Sequence, residues 1–239
     1  MTAQHVLITG VSAGFGHALA LASLERGDTV YGISRKPPSE LLAHERMRFA
    51  TLDLRRFDDI AATLDVLLAD APRLDVVLLN AGVLGSLEDL AETSYDEVRA
   101  VMDINVWANK ALVDALMARD LAVAHVVGIS SGAAVSGSGG WGPYSISKAA
   151  LNILLRVYAH EHPGTHFTAL APGVIETAMI HTILAQPENP HHEATSRVQA
   201  AGRKGLIQTP EAAAQRVLDC LGALRERYDS GAFVDVREM

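Results

Sequence analysis

A single-domain, doubly wound α/β fold, with a parallel sheet of about seven strands and helices on both faces, follows from three features of this 239-residue chain. Apolar strand-like runs alternate with helix-period segments almost from end to end. A glycine-rich turn joins the first of those runs to the first helical segment. Thr9, Asn80, Ser131 and Pro172, which belong to separate motifs, all fall at or just past predicted strand ends. Open α/β sheets bind their ligands beyond those ends.

The elements read in order as follows. Residues 5–9, His-Val-Leu-Ile-Thr, form a short buried strand that runs into Gly10-Val11-Ser12-Ala13-Gly14-Phe15-Gly16 and a helix over 15–26. Backbone N–H groups of such a turn can close on a diphosphate, and the helix N-terminus adds a favourable dipole. Strands follow at 29–33, 47–52, 75–79, 123–129, 165–170 and 232–236, and helices at 57–69, 94–118, 143–160 and 210–225. The stretch 172–209 has no clear period and is punctuated by Pro172, Pro187 and Pro190, with Pro210 just beyond. It reads as a long loop, either functional or disordered. Segments 94–118 and 143–160 are apolar over more than one buried stripe, which either a homodimer or homotetramer interface or a thick sheet core would account for.

Composition bounds the function. Apolar residues make up 49% and charged residues 20%, ordinary for a globular domain with a large core. A net charge of −8 argues against nucleic acid or an anionic membrane as the main partner. The single Cys220 cannot form an internal disulfide, which fits a reducing compartment, and no signal or membrane-spanning run is evident; the expected location is cytoplasmic. His160, His162 and His166, and the pair His191-His192, match no metal-ligand spacing, so no metal is expected.

The chemistry concentrates in Gly128-Ile129-Ser130-Ser131 and Trp141-Gly142-Pro143-Tyr144-Ser145-Ile146-Ser147-Lys148. A lysine four residues after a tyrosine shares its helical face one turn on. Its ammonium is expected to pull the phenol down from its ordinary value near 10, and reaching neutrality would take roughly 4 kcal/mol. A tyrosine so tuned serves as general acid or base at an alcohol or carbonyl oxygen, and Ser131 can hydrogen-bond the same oxygen. Asn105 stands among apolar residues in mid-helix, where its amide must find a buried partner.

On these motifs the chain resembles the short-chain dehydrogenase/reductase family over essentially its whole length. Thr9-Gly10-x-x-x-Gly14-x-Gly16 matches that family's cofactor motif, and Asn80-Ala81-Gly82 matches the motif after its fourth strand, with Leu79 replacing a frequent second asparagine. Asn105, Ser131, Tyr144 and Lys148 fall at the family's four catalytic positions. The resemblance implies one Rossmann-type catalytic domain over 1–239, with 172–209 capping the substrate. It implies cofactor contacts from Gly10, Ser12, Gly14, Phe15, Gly16, Ser34 and Arg35, and from the pair Asp53-Leu54 at the adenine. It adds Asn80, Ala81, Gly82, Tyr144, Lys148, Pro172, Gly173, Val174 and Thr177 to that set. Lys148 would also hold the nicotinamide ribose, and Asn105 would support a water linking Lys148 to solvent.

The end of the second strand bears on which dinucleotide binds. Ser34-Arg35-Lys36 carries no carboxylate to grip both ribose hydroxyls, and Arg35 offers a planar fork for a 2′-phosphate. NADP(H) is favoured; NAD(H) stays open because Ala13 stands where many NADP-preferring relatives have a basic residue.

Gly140-Trp141-Gly142-Pro143-Tyr144, Gly205-Leu206-Ile207 and Ser230-Gly231-Ala232-Phe233-Val234-Asp235 are similar to stretches of sepiapterin reductases and bacterial benzil (α-diketone) reductases. That likeness implies a small-molecule ketone or vicinal dicarbonyl as substrate, bound by Ser131, Trp141, Tyr144, Gly173 and Asp235, the last as a pterin anchor. The alternatives are an NAD(P)-dependent alcohol or hydroxysteroid dehydrogenase, or a dinucleotide-sensing regulator without catalysis. The regulator reading expects loss of Tyr144 or Lys148, and both are present.

Overall fold

The computed structural model describes residues 3–239 as one parallel sheet in the order β3-β2-β1-β4-β5-β6-β7. The strands are β1 (His5–Thr9), β2 (Thr29–Ser34), β3 (Met47–Thr51), β4 (Val76–Leu79), β5 (His125–Ile129), β6 (His166–Ala171) and β7 (Ala232–Asp235). β4 and β5 are buried along their whole length, as strands covered on both faces must be. Helices α1 (Gly14–Glu25) and α9 (Pro210–Arg227) pack together on one face of the sheet. On the other lie α2 (Phe57–Leu67), α4 (Ala108–Met117) and α6 (Gly142–Glu161), with α3 (Tyr95–Met102) preceding α4 and the short α5 (Ala133–Ser136) preceding α6. β1 pairs with β2 on one side and β4 on the other, so strand order reverses there and opens a crevice at the carboxyl ends.

Two stretches depart from expectation. The segment 94–118 is three pieces, because a π turn at Asp103–Trp107 separates α3 from α4. The widened turn carries Asn105, and single π turns inside α-helices recur at functional sites. The stretch 172–209 carries two helices: α7 (Ala178–Leu184) and α8 (Glu193–Arg203) are separated by Pro187 and Pro190, which cannot continue a helix. Among the described residues no helix is long and apolar enough to cross a membrane, and no cluster of three His, Cys, Asp or Glu could hold a metal.

Far from the crevice, His125 at the start of β5 is fully buried, with Nε2 2.9 Å from Thr168 Oγ1 and its ring edge-on to His166 at 5.0 Å. Burial first, then neighbouring His166 and Arg225, bring its pKa down to about 3. The unfolded chain therefore takes up a proton near pH 6.5 that the folded chain refuses, and stability falls as pH drops through that window. The slope is up to about 1.4 kcal/mol per pH unit for this one group. Urea midpoints at pH 7 and pH 5 should differ accordingly, and His125→Gln should flatten the difference; an unchanged acid limb in the variant would contradict this account.

Candidate active site

One cleft of about 410 Å³ runs along the carboxyl ends of the strands, from Arg35 and Asp53 at one end to Trp141, Met179 and Val198 at the other. Its floor is the turn after β1. Gly10 and Gly14 have φ of +79° and +58°, which glycine alone adopts without strain. A Cβ on Gly16 would lie 2.3 Å from the Gly10 carbonyl oxygen and 2.4 Å from Asn80 Nδ2, so only glycine lets the backbone close this tightly. Thr9 ties the turn to the end of β4: its Oγ1 accepts from the N–H groups of Asn80 and Ala81 at 3.0 Å, and its carbonyl accepts from Asn80 Nδ2 at 2.9 Å. The N-terminus of α1 has no side-chain cap and no acidic residue in its first turn. Its N–H groups are therefore free of protein anions and suited to a diphosphate.

At the adenine end, Ser34 and Arg35 line the cleft with Asp53 and Leu54. The Ser34 hydroxyl donates to the Lys36 carbonyl at 2.7 Å. Arg55 holds the Asp53 carboxylate at 3.0 and 2.5 Å, and that hydrogen bonding brings its pKa down to about 2, burial opposing. Arg35 is exposed and makes no ion pair among the described residues. The cradle fits a dinucleotide in its turn, its uncapped helix and its cation.

At the far end, α6 starts at Gly142 with Pro143 in its first turn, which places Tyr144 and Lys148 one turn apart and pointing inward. Both are buried, and Lys148 Nζ lies 5.6 Å from the centre of the tyrosine ring. Lys148 donates to the Ile129 carbonyl at 2.7 Å. Ser131 and Ser130 follow β5; the Ser130 hydroxyl is bound to Asn152 Oδ1 at 2.6 Å, while Ser131 Oγ accepts from the Ala133 N–H at 3.1 Å and faces Tyr144. Asn105 is completely buried. It accepts from Val83 N–H at 2.8 Å and donates to the Val83 carbonyl and to Ser147 Oγ, both at 2.9 Å. Ser147 in turn donates to the Tyr144 carbonyl at 2.7 Å. The asparagine thus clamps the first turn of α6 to the loop after β4.

The electrostatics differ from expectation. Burial pushes the Tyr144 phenol up from its ordinary value, with the Ser131 hydroxyl pulling the other way. Burial also brings the Lys148 ammonium down to about 8. Desolvation outweighs the ammonium because Lys148 sits over the ring and donates to a backbone carbonyl. At neutral pH the tyrosine is therefore protonated and the lysine charged, a pair poised to give a proton.

A model of the short-chain dehydrogenase family matches residues 4–188, most of the chain. The protein is a short-chain dehydrogenase/reductase. The benzil reductase ((S)-benzoin forming) of Bacillus subtilis (strain 168) is 27% identical over 97% of this chain and 98% of its own. The sepiapterin reductase of Xenopus laevis is 30% identical over 96% of this chain and 94% of its own. Among solved structures, a short chain dehydrogenase of Escherichia coli CFT073 complexed with NADPH superposes with a TM-score of 0.80. It is 26% identical, over 98% of this chain and 96% of its own. As an oxidoreductase of this family the chain binds NAD(P).

Of the residues expected at the cofactor, Gly10, Ser12, Gly14, Phe15 and Gly16 line the cleft, as do Asn80, Ala81 and Gly82. Pro172, Gly173, Val174 and Thr177 close it from the other side. Asn105 stands behind this lining, its Oδ1 3.1 Å from where a Cβ on Gly82 would lie. Asp235 does not line the cleft. Its carboxylate is held by Arg237, Nε at 2.9 Å and Nη2 at 2.5 Å, and accepts from the Arg237 N–H at 2.9 Å. That hydrogen bonding keeps Asp235 below the usual carboxylate range and occupies the oxygens a pterin edge would need. Sequence reasoning missed the apolar wall formed by Leu84, Met179, Ile180, Ile183 and Val198. The spacing of Ile180 with Ile183, and of Ala194 with Val198, was its only signal.

Proposed function

We propose that the enzyme uses NADPH to reduce the carbonyl of an uncharged, largely apolar ketone or vicinal dicarbonyl, with Tyr144 as proton donor. The observation that carries this reading is the continuity of one cleft from a free arginine to a buried Ser131–Tyr144–Lys148 cluster backed by apolar side chains. The nicotinamide, when bound, supplies the hydride. Ser131 holds the substrate oxygen by its hydroxyl, and Tyr144 releases its proton to that oxygen as negative charge develops there. Lys148, charged below about pH 8, stabilises the phenolate left behind and would hold the nicotinamide ribose when the cofactor is bound. Asn105 acts one step back, keeping α6 and the loop after β4 in register through Ser147 and Val83.

The bacterial benzil reductase matches 97% of this chain and supports an aryl diketone as substrate. The sepiapterin reductase supports a pterin, but the engagement of Asp235 by Arg237 weighs against it. NADPH oxidation with benzil, butane-2,3-dione and sepiapterin decides: turnover of benzil is expected, and activity confined to the pterin would discard the apolar reading. Arg35 supports NADPH over NADH, because Ser34-Arg35-Lys36 at the end of β2 carries no carboxylate to grip both ribose hydroxyls. Arg35→Ala should raise KM for NADPH about ten-fold and leave KM for NADH nearly unchanged; equal effects on both would remove the 2′-phosphate contact.

We also propose a homo-oligomer. Trp107, Ile146, Ile153 and Val157 are each between 44% and 56% exposed along the π turn and α6, more apolar surface than one stripe needs. Sedimentation at working concentration showing only a monomer would refute it. The lone Cys220 supports a reducing, cytoplasmic setting.

A further inference from the structure

The run Ser138-Gly139-Gly140-Trp141-Gly142 has a physical cause outside the catalytic cluster. Two other segments press directly on it. A Cβ on Gly140 would lie 2.6 Å from the His192 ring, and one on Gly139 would lie 2.8 Å from the His191 carbonyl oxygen. A Cβ on Gly142 would lie 2.8 Å from Leu90. His192 Nε2 in turn meets Asp89 Oδ1 at 3.0 Å, which closes a junction of the 86–92 segment, the glycine run and the start of α8. Helix α8 holds the run by two side-chain bonds: Arg197 donates to Ser138 Oγ at 2.9 Å, and Thr195 Oγ1 accepts from Trp141 Nε1 at 2.9 Å. Thr195 is 1% exposed and Trp141 7% exposed, so the indole N–H has no solvent to turn to. The indole lines the cleft and stands edge-on to Tyr144 at 6.0 Å and 77°. One turn along the same helix, Val198 lines the cleft too.

We propose that Thr195 is the positioning residue for Trp141, and that α8 thereby sets the size of substrate admitted beside Tyr144. The hydrogen bond fixes the plane of the indole, because a buried N–H left without a partner is costly and drives the ring toward another rotamer. A rotated indole intrudes on the space a second aryl ring needs, while a small dicarbonyl still reaches Ser131 and Tyr144. The proposal deepens the dicarbonyl reading and rests on it for its substrates; its spectroscopic consequence does not.

The test is Thr195→Val, which keeps shape and removes the acceptor, set beside Thr195→Ser, which restores it. With benzil, KM should rise about five- to ten-fold in Thr195→Val while kcat changes less than about two-fold. With butane-2,3-dione, KM should move less than about two-fold, and Thr195→Ser should behave as the parent. In a Trp107→Phe background, which leaves Trp141 as the remaining tryptophan, Thr195→Val should broaden and red-shift the emission and increase quenching by acrylamide. Unchanged emission, or KM values that rise together for both diketones, would overturn the proposal. If the parent reduced neither diketone, the dicarbonyl reading would fail and the emission would decide the Thr195 contact alone. Should Thr195→Val not accumulate, Thr195→Ala, which also removes the acceptor and keeps the indole, must raise KM for benzil selectively or the idea is wrong.

Discussion

Tyr144→Phe should lower kcat for carbonyl reduction by about a thousand-fold while NADPH affinity changes less than about three-fold. The substitution removes one hydroxyl and leaves the ring, so the edge-on contact with Trp141 and the place of residue 144 in α6 persist. The backbone carbonyl still accepts from Ser147, so the clamp running through Asn105 is untouched. What disappears is the proton that the proposed mechanism delivers to the substrate oxygen alongside Ser131. A serine hydroxyl and a lysine committed to the Ile129 carbonyl can polarise that oxygen, but neither is placed to replace the phenol. The loss should therefore fall in kcat and not in cofactor binding, which titration of NADPH fluorescence measures directly. Folding should change by no more than about 1 kcal/mol, since a single buried hydroxyl is lost. A variant reducing its diketone at the parental rate would remove Tyr144 from the mechanism.

The central strands were open to sequence reading because β4 and β5 are short, nearly continuous apolar runs, the mark of a sheet covered on both faces. The glycine turn was equally open, since Gly16 tolerates no side chain and leaves that constraint written in the chain. Asn105 announced itself as a polar residue out of place, but the π turn around it did not. No Pro or Gly marks residues 103–107, and the turn is accompanied by a tertiary bond to Val83, which local pattern cannot reveal. The same holds for Asp235. In an alternating strand, residues 235 and 237 would point the same way without pairing. Here the chain leaves β7 in a short turn that folds Arg237 back onto the carboxylate. The two helices of the 172–209 stretch were hidden by their composition: prolines between them and polar residues along α8 masked a narrow apolar edge. The tuning of Tyr144 was misjudged for a related reason. Spacing gives the proximity of Lys148, but the depth of burial that outweighs it is a property of the assembled cleft.

Gly16→Ala should weaken NADPH binding at least about a hundred-fold and destabilise the fold by roughly 1–3 kcal/mol. The added Cβ would meet the Gly10 carbonyl oxygen at 2.3 Å and Asn80 Nδ2 at 2.4 Å. The first contact is with backbone, and the second is with an amide already bound to the Thr9 carbonyl, so neither can yield cheaply. Relief requires α1 to move away from the turn, which pulls the N–H groups at its start off the diphosphate position and loosens the tie between β1 and β4. The control is Gly222→Ala, inside α9, where an added Cβ meets nothing within 4 Å. That change should leave binding intact and stabilise the protein by up to about 1 kcal/mol, as alanine for glycine does in a helix interior. Calorimetric titration with NADPH and urea unfolding on both variants separate a specific effect on the cradle from a general intolerance of substitution. Parental NADPH affinity in a folded Gly16→Ala protein would mean that the turn after β1 is not where the diphosphate binds.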